Sequence, residues 1–353
     1  MNMPAANSRP PIQKTARRLP GNYGVFAALA LIGIAILGLY FVDVLQRNFA
    51  TPTKPIILGV TFSQPYAESL GLDWKQTYLA ILDELKVRNF RLSAYWDDIE
   101  PEPGIYNFKN LDWQVNEAAR RGSRIILGVG RKLPRWPECH VPAWADGLSE
   151  PLVRSKLLAY VEAVVKHYAD QQAIVMWQVE NEPFFNFGIC PKPDRQLLKQ
   201  EIEVVKALDR RPVMVTESGE LSTWIAAASL ADVVGISTYR VVWSKYVGYF
   251  FWPITPLTYR ERADAIRPYV ADIIVSELQA EPWVTIAFDE TPIDQQLTLM
   301  NPQRLSDNIN FARRTGFSSA YLWGVEWWYW LKVHKRPEMW RAGIEAYKAG
   351  AGR

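Results

Sequence analysis

From residue 56 onward, short apolar runs recur along the chain. They are Ile56–Thr61, Phe90–Tyr95, Arg124–Val129, Ile174–Val179, Val213–Glu217, Val233–Tyr239, Asp272–Glu277 and Ser319–Gly324. Most are nearly continuous rather than alternating, the pattern of strands buried on both faces of a parallel sheet. Stretches of helical periodicity lie between most of them, among them Thr77–Val87, Val153–Tyr168 and Leu197–Leu208. Their apolar residues gather on one side of a helix. Eight strand–helix units in about 300 residues predict an α/β chain closed into a (β/α)8 TIM barrel with some long loops. An open doubly wound sheet usually shows a glycine-rich phosphate turn after its first strand. Here that strand runs into Thr61-Phe62-Ser63-Gln64-Pro65. No glycine is present, so no phosphate-bearing cofactor is expected.

A different pattern precedes the barrel. Tyr23 to Val42 is an uncharged, strongly apolar run of the length, about 20 residues, that a helix needs to cross a bilayer. A cleavable secretory signal usually has a shorter apolar region, about 7–15 residues, ending in a small-x-small site. The nearest match, Asn48-Phe49-Ala50, is a weak one. The barrel is therefore expected to follow one N-terminal transmembrane signal-anchor helix spanning 21–45, with the lipid bilayer as its partner. Arg9, Lys14, Arg17 and Arg18 precede the run, and Asp43, Arg47 and Lys54 follow it. The positive-inside rule then keeps the N-terminus cytoplasmic and the rest outside the cytoplasmic membrane. Residues 1–20 read as a disordered tail. Residues 46–55 read as a linker, stiffened by Thr51-Pro52-Thr53-Lys54-Pro55. Residues 56–348 form the barrel domain.

Composition narrows the chemistry. Lys and Arg number 40 against 37 Asp and Glu, a net charge of +3. This lacks the basic excess of a nucleic-acid-binding chain, so no nucleic-acid partner is expected. With 3 His and 2 Cys, neither an imidazole cluster nor a four-thiolate zinc site is expected, and no metal. Aromatic residues are abundant, with 15 Trp, 16 Tyr and 14 Phe.

In a barrel of this kind, chemistry collects where the strands end. The second strand delivers Arg91 and Trp96 there, the third Arg131 and Arg135-Trp136, and the fourth Glu180-Asn181-Glu182-Pro183. The fifth ends at Glu217 and the sixth at Tyr239. The seventh brings Glu277, Gln279 and Glu281-Pro282-Trp283, and the eighth Trp323, Glu326, Trp327 and Trp328. Carboxylates and indoles dominate. Two carboxylates across a groove can cleave a glycosidic bond, one as proton donor, the other as nucleophile or base. Trp faces stack on the apolar faces of sugar rings. A carbohydrate is the expected substrate.

The segment Gln178-Val179-Glu180-Asn181-Glu182-Pro183 resembles the Asn-Glu-Pro motif of retaining glycoside hydrolases of clan A. That superfamily includes cellulases, mannanases, xylanases and β-galactosidases. Arg91 to Phe108, RLSAYWDDIEPEPGIYNF, is similar to the clan as well. The resemblance covers about residues 56–345. It implies that Glu182 is the acid/base, that Glu277 at the end of the seventh strand is the nucleophile, and that Arg91 and Tyr239 orient it. It also implies that Asn181 binds the 2-hydroxyl of the substrate. Some members carry His two residues before the strand-six Tyr; here that position is Ser237. Trp96, Trp283, Trp323 and Glu326 are the further substrate-binding candidates, and Trp327 and Trp328 are expected to line a subsite. Glu217 is the closest competitor for the nucleophile, and Glu180 reads as a salt-bridged neighbour.

The expected activity is retaining hydrolysis of O-glycosidic bonds in an extracytoplasmic poly- or oligosaccharide. A transglycosylase acting on envelope glycans and a non-catalytic glycan-binding barrel are the alternatives. Cys139 and Cys190 fall in the loops after neighbouring strands three and four. Outside the cytoplasm they are expected to pair, with two free thiols as the alternative. The aromatic loop over 241–257 reads as a cleft lid or as packing, with a membrane-touching patch as a further reading.

Overall fold

The computed structural model describes residues 23–49 and 55–350. The proposed tail (1–20), residues 21–22 of the proposed anchor and residues 50–54 of the proposed linker lie outside the described residues. The chain forms two units, residues 1–49 and 50–353.

In the first unit a helix covers Tyr23–Phe49 and runs on into the segment read as linker. Its described side chains, residues 25–41, are all exposed. No helix among the described residues is long and apolar enough to cross a membrane, and the described side chains cover residues 25–41 of the Tyr23–Val42 run.

The second unit is the barrel. Its strands are β1 (Ile57–Thr61), β2 (Asn89–Ser93), β3 (Arg124–Val129), β4 (Ile174–Val179), β5 (Val213–Ser218), β6 (Val233–Thr238), β7 (Asp272–Gln279) and β8 (Ser319–Trp323). Each pairs in parallel with its sequence neighbours, and β8 pairs with β1 to close the ring. The expected eight strands and their order are thus present, with ends shifted by a residue or two. Burial explains why: on β5 and β6 every residue is inside.

Two apolar layers hold the ring. Ile126, Met214, Val233, Ile274 and Tyr321 form a cluster of their own, with one residue each from β3 and β5 to β8, as expected for a packed barrel interior. Gly59 on β1 makes room for it, since a Cβ there would lie 2.6 Å from the Tyr321 ring. The larger cluster joins the strands to the surrounding helices.

Local signals place those helices. Asp73 caps the helix Trp74–Asp83 by accepting from the backbone N–H of Lys75 and Gln76. Asp194 does the same for Arg195–Leu208. The helix Pro302–Thr315 starts at Asn301 and stops at Gly316, whose φ of 78° is left-handed.

One element is additional. Val241–Ser244 and Gly248–Phe251 form an antiparallel hairpin after β6, in the segment read as an aromatic loop. Its strands, Val-Val-Trp-Ser and Gly-Tyr-Phe-Phe, are rich in β-branched and aromatic residues, and both β-propensity and the Gly248 turn favour a hairpin.

Candidate active site

The site is built on the end of β4. Beyond Val179 the backbone turns sharply, and Glu180 and Glu182 both adopt positive φ, 59° and 42°. Such conformations cost about 1–3 kcal/mol each and persist only when neighbours fix them. Six hydrogen bonds do so. The Glu180 carboxylate accepts from the N–H groups of Arg131 (2.6 Å) and Lys132 (2.8 Å). Asn181 N donates to Lys132 O (2.6 Å), and Glu182 N donates to Thr216 Oγ1 (2.8 Å). Lys132 Nζ donates to the carbonyls of Glu182 (3.0 Å) and Phe185 (2.7 Å). Glu180 is therefore a backbone clamp between the loops after β3 and β4, and the salt-bridge reading is corrected.

Opposite stands Glu277 on β7. Arg91 Nη1 donates to its Oε1 and Tyr239 OH to its Oε2, both at 2.9 Å. Arg91 is itself fixed, with Nε on Gln178 Oε1 and Nη2 on Asn181 Oδ1, both at 2.7 Å. This buried guanidinium ties β2, β4 and β7 together and leaves Glu277 paired with a cation. Burial, and then the Glu277 charge, hold the Tyr239 pKa well above its usual value, so it remains a phenol donor.

Glu182 has the opposite environment. Ser237 Oγ donates to its Oε1 at 2.6 Å, from the position where some clan members carry His. Burial, and then the Glu277 charge, raise the Glu182 pKa to about 8, against the pull of Ser237 and Lys132. One carboxyl thus stays protonated at neutral pH beside another with two donors on it. Dissimilar environments of this kind separate acid from nucleophile.

A third carboxyl was not singled out in the sequence. Glu138, in the loop after β3, accepts from Asn181 Nδ2 at 3.3 Å and lines the same cleft. Burial, then Glu277, raise its pKa to about 8. The Cys139–Cys190 bond is formed, with Cα atoms 5.3 Å apart, and it joins the β3 loop to the β4 loop beside Glu138. Gly188 (φ 85°) packs against this corner, where a Cβ would overlap Glu138.

The cleft encloses about 740 Å³. Among its walls are Tyr66, Trp136, Trp243, Trp252, Trp283 and Trp323, with Glu182, Glu277, Asn181 and Tyr239 below. The hairpin after β6 forms one wall through Val242, Trp243, Ser244 and Phe250. The Arg135 guanidinium lies over the rings of Tyr66 (3.5 Å) and Trp323 (4.1 Å). It pairs with Glu281 and, at 3.2 Å, with Glu326. Burial opposes its charge, but the two carboxylates outweigh that and raise its pKa.

Several expected residues do not reach the cleft. Trp96 is fully buried, donates to Glu100 (2.7 Å) and stacks on Tyr160; it is a packing residue behind β2. Glu326 has no exposed surface, accepts from Ser63 N (2.7 Å) and supports Arg135 from behind. Trp327 and Trp328 are equally buried, donating to Gln296 Oε1 (2.6 Å) and Ala280 O (2.7 Å). The helix Val325–Val333 starts directly after β8 and turns these side chains into the protein. Glu217 accepts from Ser222 Oγ (2.6 Å) and Ala227 N (3.3 Å) and does not line the cleft. Among the described residues no group of three His, Cys, Asp or Glu is arranged to hold a metal ion.

Comparison with known proteins gives a consistent picture. The family model of glycosyl hydrolase family 10 matches residues 81–200. That stretch holds β2 to β4, Asn181 and Glu182, and ends before Glu277. A β-galactosidase of Clostridium cellulovorans is 25% identical over 166 residues, 41% of this chain and 25% of that protein. A mannan endo-1,4-β-mannosidase of Emericella nidulans is 23% identical over 157 residues, 39% of this chain and 40% of that protein. The matches thus span a quarter to two fifths of these relatives. In fold, the chain is similar to an exo-β-1,4-mannosidase from an Opitutaceae bacterium. The TM-score is 0.52 and the identity 14%, over 84% of this chain and 62% of that one. It is similar also to an intracellular xylanase of Thermoanaerobacterium saccharolyticum, with a TM-score of 0.52 and 17% identity over 77% and 87% of the two chains. At such identities the likeness establishes the fold. The family model and the relatives that match are glycoside hydrolases, and the solved structures share the barrel fold.

Proposed function

We propose that the chain is a retaining glycoside hydrolase that cleaves O-glycosidic bonds of a poly- or oligosaccharide by double displacement. One observation carries this reading: Glu182, with Ser237 donating to it, shares the floor of an aromatic cleft with a Glu277 held by Arg91 and Tyr239. A Glu277 oxygen attacks the anomeric carbon, and the carbon–oxygen bond to the leaving group breaks. The Glu182 proton passes to that leaving oxygen. Glu182, now ionised, takes a proton from water as the water attacks the glycosyl ester. Sugar is released, Glu277 is regenerated and Glu182 is again protonated. The Trp and Tyr walls supply stacking surfaces for the rings on either side.

The full chain should hydrolyse members of a panel of aryl glycosides and polysaccharides. The first-formed sugar, followed by proton NMR, should keep the substrate's anomeric configuration. An inverted product sinks the double displacement, and full activity in Glu182→Ala or Glu277→Ala sinks that residue's role.

We further propose that the N-terminal helix anchors the barrel on the outer side of the cytoplasmic membrane. The uncharged run Tyr23–Val42, the basic residues before it and the exposed apolar side chains of residues 25–41 support this. The full chain should sediment with membranes and resist alkaline carbonate. Recovery in the soluble fraction refutes anchoring, and protection of the barrel from protease added outside the cell refutes the orientation.

A further inference from the structure

The acid fixes which half of the cleft receives the leaving group. Glu182 passes its proton to the leaving oxygen, so that oxygen lies beside its carboxyl. Ser237 on β6 donates to that carboxyl (2.6 Å), and Thr216 on β5 accepts from the Glu182 N–H (2.8 Å). The leaving group therefore lies over the ends of β4, β5 and β6. Phe185, Phe187, Leu221, Val242, Trp243 and Phe250 line that half. The rings of Phe185 and Phe187 stack at 5.9 Å, and Phe250 meets Trp252 edge-on at 5.1 Å. The loops after β4 and β5 and the hairpin after β6 thus all present apolar side chains there.

The polar side chains of that half are already engaged. Ser237 donates to Glu182. Ser218 and Ser244 accept from the N–H groups of Leu221 and Tyr246, both at 3.2 Å. Glu220 Oε1 accepts from Tyr239 N (3.0 Å) and Tyr259 OH (2.7 Å). The other half differs, with Arg135 and Glu281 in its wall and Asn181 and Glu138 at the floor. A sugar in the leaving position would press hydroxyls against hydrocarbon, and hydrogen bonds left unmet there cost binding. A leaving phosphate would lack a countercharge. Among the described residues lining the cleft, Arg135 is the one Lys or Arg, while the Lys132 ammonium donates to the carbonyls of Glu182 and Phe185 and is not in the lining. The apolar surface also continues to solvent. Phe187, Leu221, Tyr246, Val247 and Phe251, on the two loops and the hairpin, are exposed, so a hydrocarbon would find partners from cleft to rim.

We propose that the substrate is a neutral amphiphilic glycoside, a saccharide joined to a hydrocarbon alcohol, and that the bond cut is the one between them. The sugar sits beside Glu277, and the hydrocarbon lies between the β4 loop, Leu221 and the hairpin. This rests on the hydrolase reading, because the acid fixes which half is which. The chemistry is the same double displacement: the alcohol leaves with the Glu182 proton, and water regenerates both carboxyls.

The test uses the full chain and methyl, butyl and hexyl β-glycosides of glucose, galactose, mannose and xylose, kept below micelle-forming concentrations, beside the β-1,4-linked disaccharide of each sugar. Unbranched alkanols leave with nearly equal chemical ease, so a rise along the series reports burial of the chain. A fully buried methylene gains about fourfold. For at least one sugar, kcat/KM should climb at least about tenfold from methyl to hexyl through this half-open wall, and the hexyl glycoside should exceed the disaccharide. Leu221→Asn combined with Phe187→Asn, both at exposed positions, should cut the hexyl-to-methyl ratio at least about threefold. A smaller rise, a disaccharide preferred over the hexyl glycoside, or a ratio that survives in the variant overturns the proposal. If the variant does not fold, the rise in the unaltered chain and its ranking against the disaccharide decide. The S-linked alkyl glycosides, which resist hydrolysis, are titrated in parallel by calorimetry. Hydrolysis with no gain along the series refutes this inference alone. Binding that tightens along the thioglycoside series in a chain that turns over no glycoside refutes the hydrolase reading and leaves the hydrocarbon site in place. Binding of none of the thioglycosides overturns this inference.

Discussion

Ser237→Ala removes one hydroxyl and leaves the barrel wall in place, so its effect can be worked out from a single hydrogen bond. Ser237 Oγ donates to Glu182 Oε1 at 2.6 Å and lowers the Glu182 pKa, while burial and the Glu277 charge raise it to about 8. A hydrogen bond to a neutral partner contributes about 1 kcal/mol, and one to a charged partner about 1.5–3 kcal/mol. The hydroxyl therefore favours the ionised form of Glu182 by about 0.5–2 kcal/mol, or about 0.5–1.5 pKa units. Without it, Glu182 should hold its proton to about pH 9. The acid form is needed for the first step, so kcat/KM should fall off on the alkaline side, and Ser237→Ala should move that limb upward by about one unit. The pH profile of kcat/KM on an aryl glycoside measures it. Glu138 titrates in the same range, and repeating the comparison with Glu138→Gln isolates Glu182. A limb that stays put or moves down refutes the assignment of Glu182 as the acid held by Ser237.

Three further outcomes follow from the same geometry. Tyr239→Phe deletes the 2.9 Å donor to Glu277 and should lower kcat/KM about ten- to a hundredfold; less than twofold in steady-state kinetics would show that the phenol does not hold the nucleophile. The Cys139–Cys190 bond spans 51 residues, and on the chain-entropy account Cys139→Ser with Cys190→Ser should cost up to about 4 kcal/mol, read as a fall in Tm; an unchanged Tm contradicts it. Glu182 and Glu138 have folded-state pKa values of about 8, above the unfolded value of about 4.3, so the folded chain binds these protons more tightly. Their contribution is complete below the unfolded value and is lost as pH rises through about 8. Tm should therefore decline from pH 5 to 8.5, and less steeply in Glu182→Gln; equal slopes would refute the burial argument.

Much of this was legible in the chain. Strands buried on both faces write themselves as apolar runs, so β3 (Arg124–Val129) and β4 (Ile174–Val179) begin and end where the pattern does. The pair Glu182 and Glu277 was legible because a strand end fixes where its next residue points. Glu138 was not. It lies well beyond β3 in a loop with positive φ at Arg135 and Glu138, and no periodicity tells where such a loop folds back. Its nearest signal was Cys139 beside it, since a bond to the β4 loop draws that corner to Asn181. Trp96, Trp327 and Trp328 misled for a related reason. Each follows a strand, but in each case a helix begins at once and rotates the indole into the core. An aromatic residue after a strand faces the cleft only if the chain continues there as loop, as at Trp136 and Trp283.

The backbone at residue 182 sets folding against chemistry. With φ at 42° and a carboxyl partly desolvated at the cleft floor, this residue costs the fold twice, once in torsion and once in desolvation. Glycine would relieve both at once. A population of variants propagated only for abundance and heat resistance should accumulate substitutions at this position early, and it would lose turnover while its members became sturdier. Survival of glutamate at 182 through such drift would mean that the strain is illusory, whereas survival only when sugar cleavage is demanded would identify the reaction itself as what keeps the residue there.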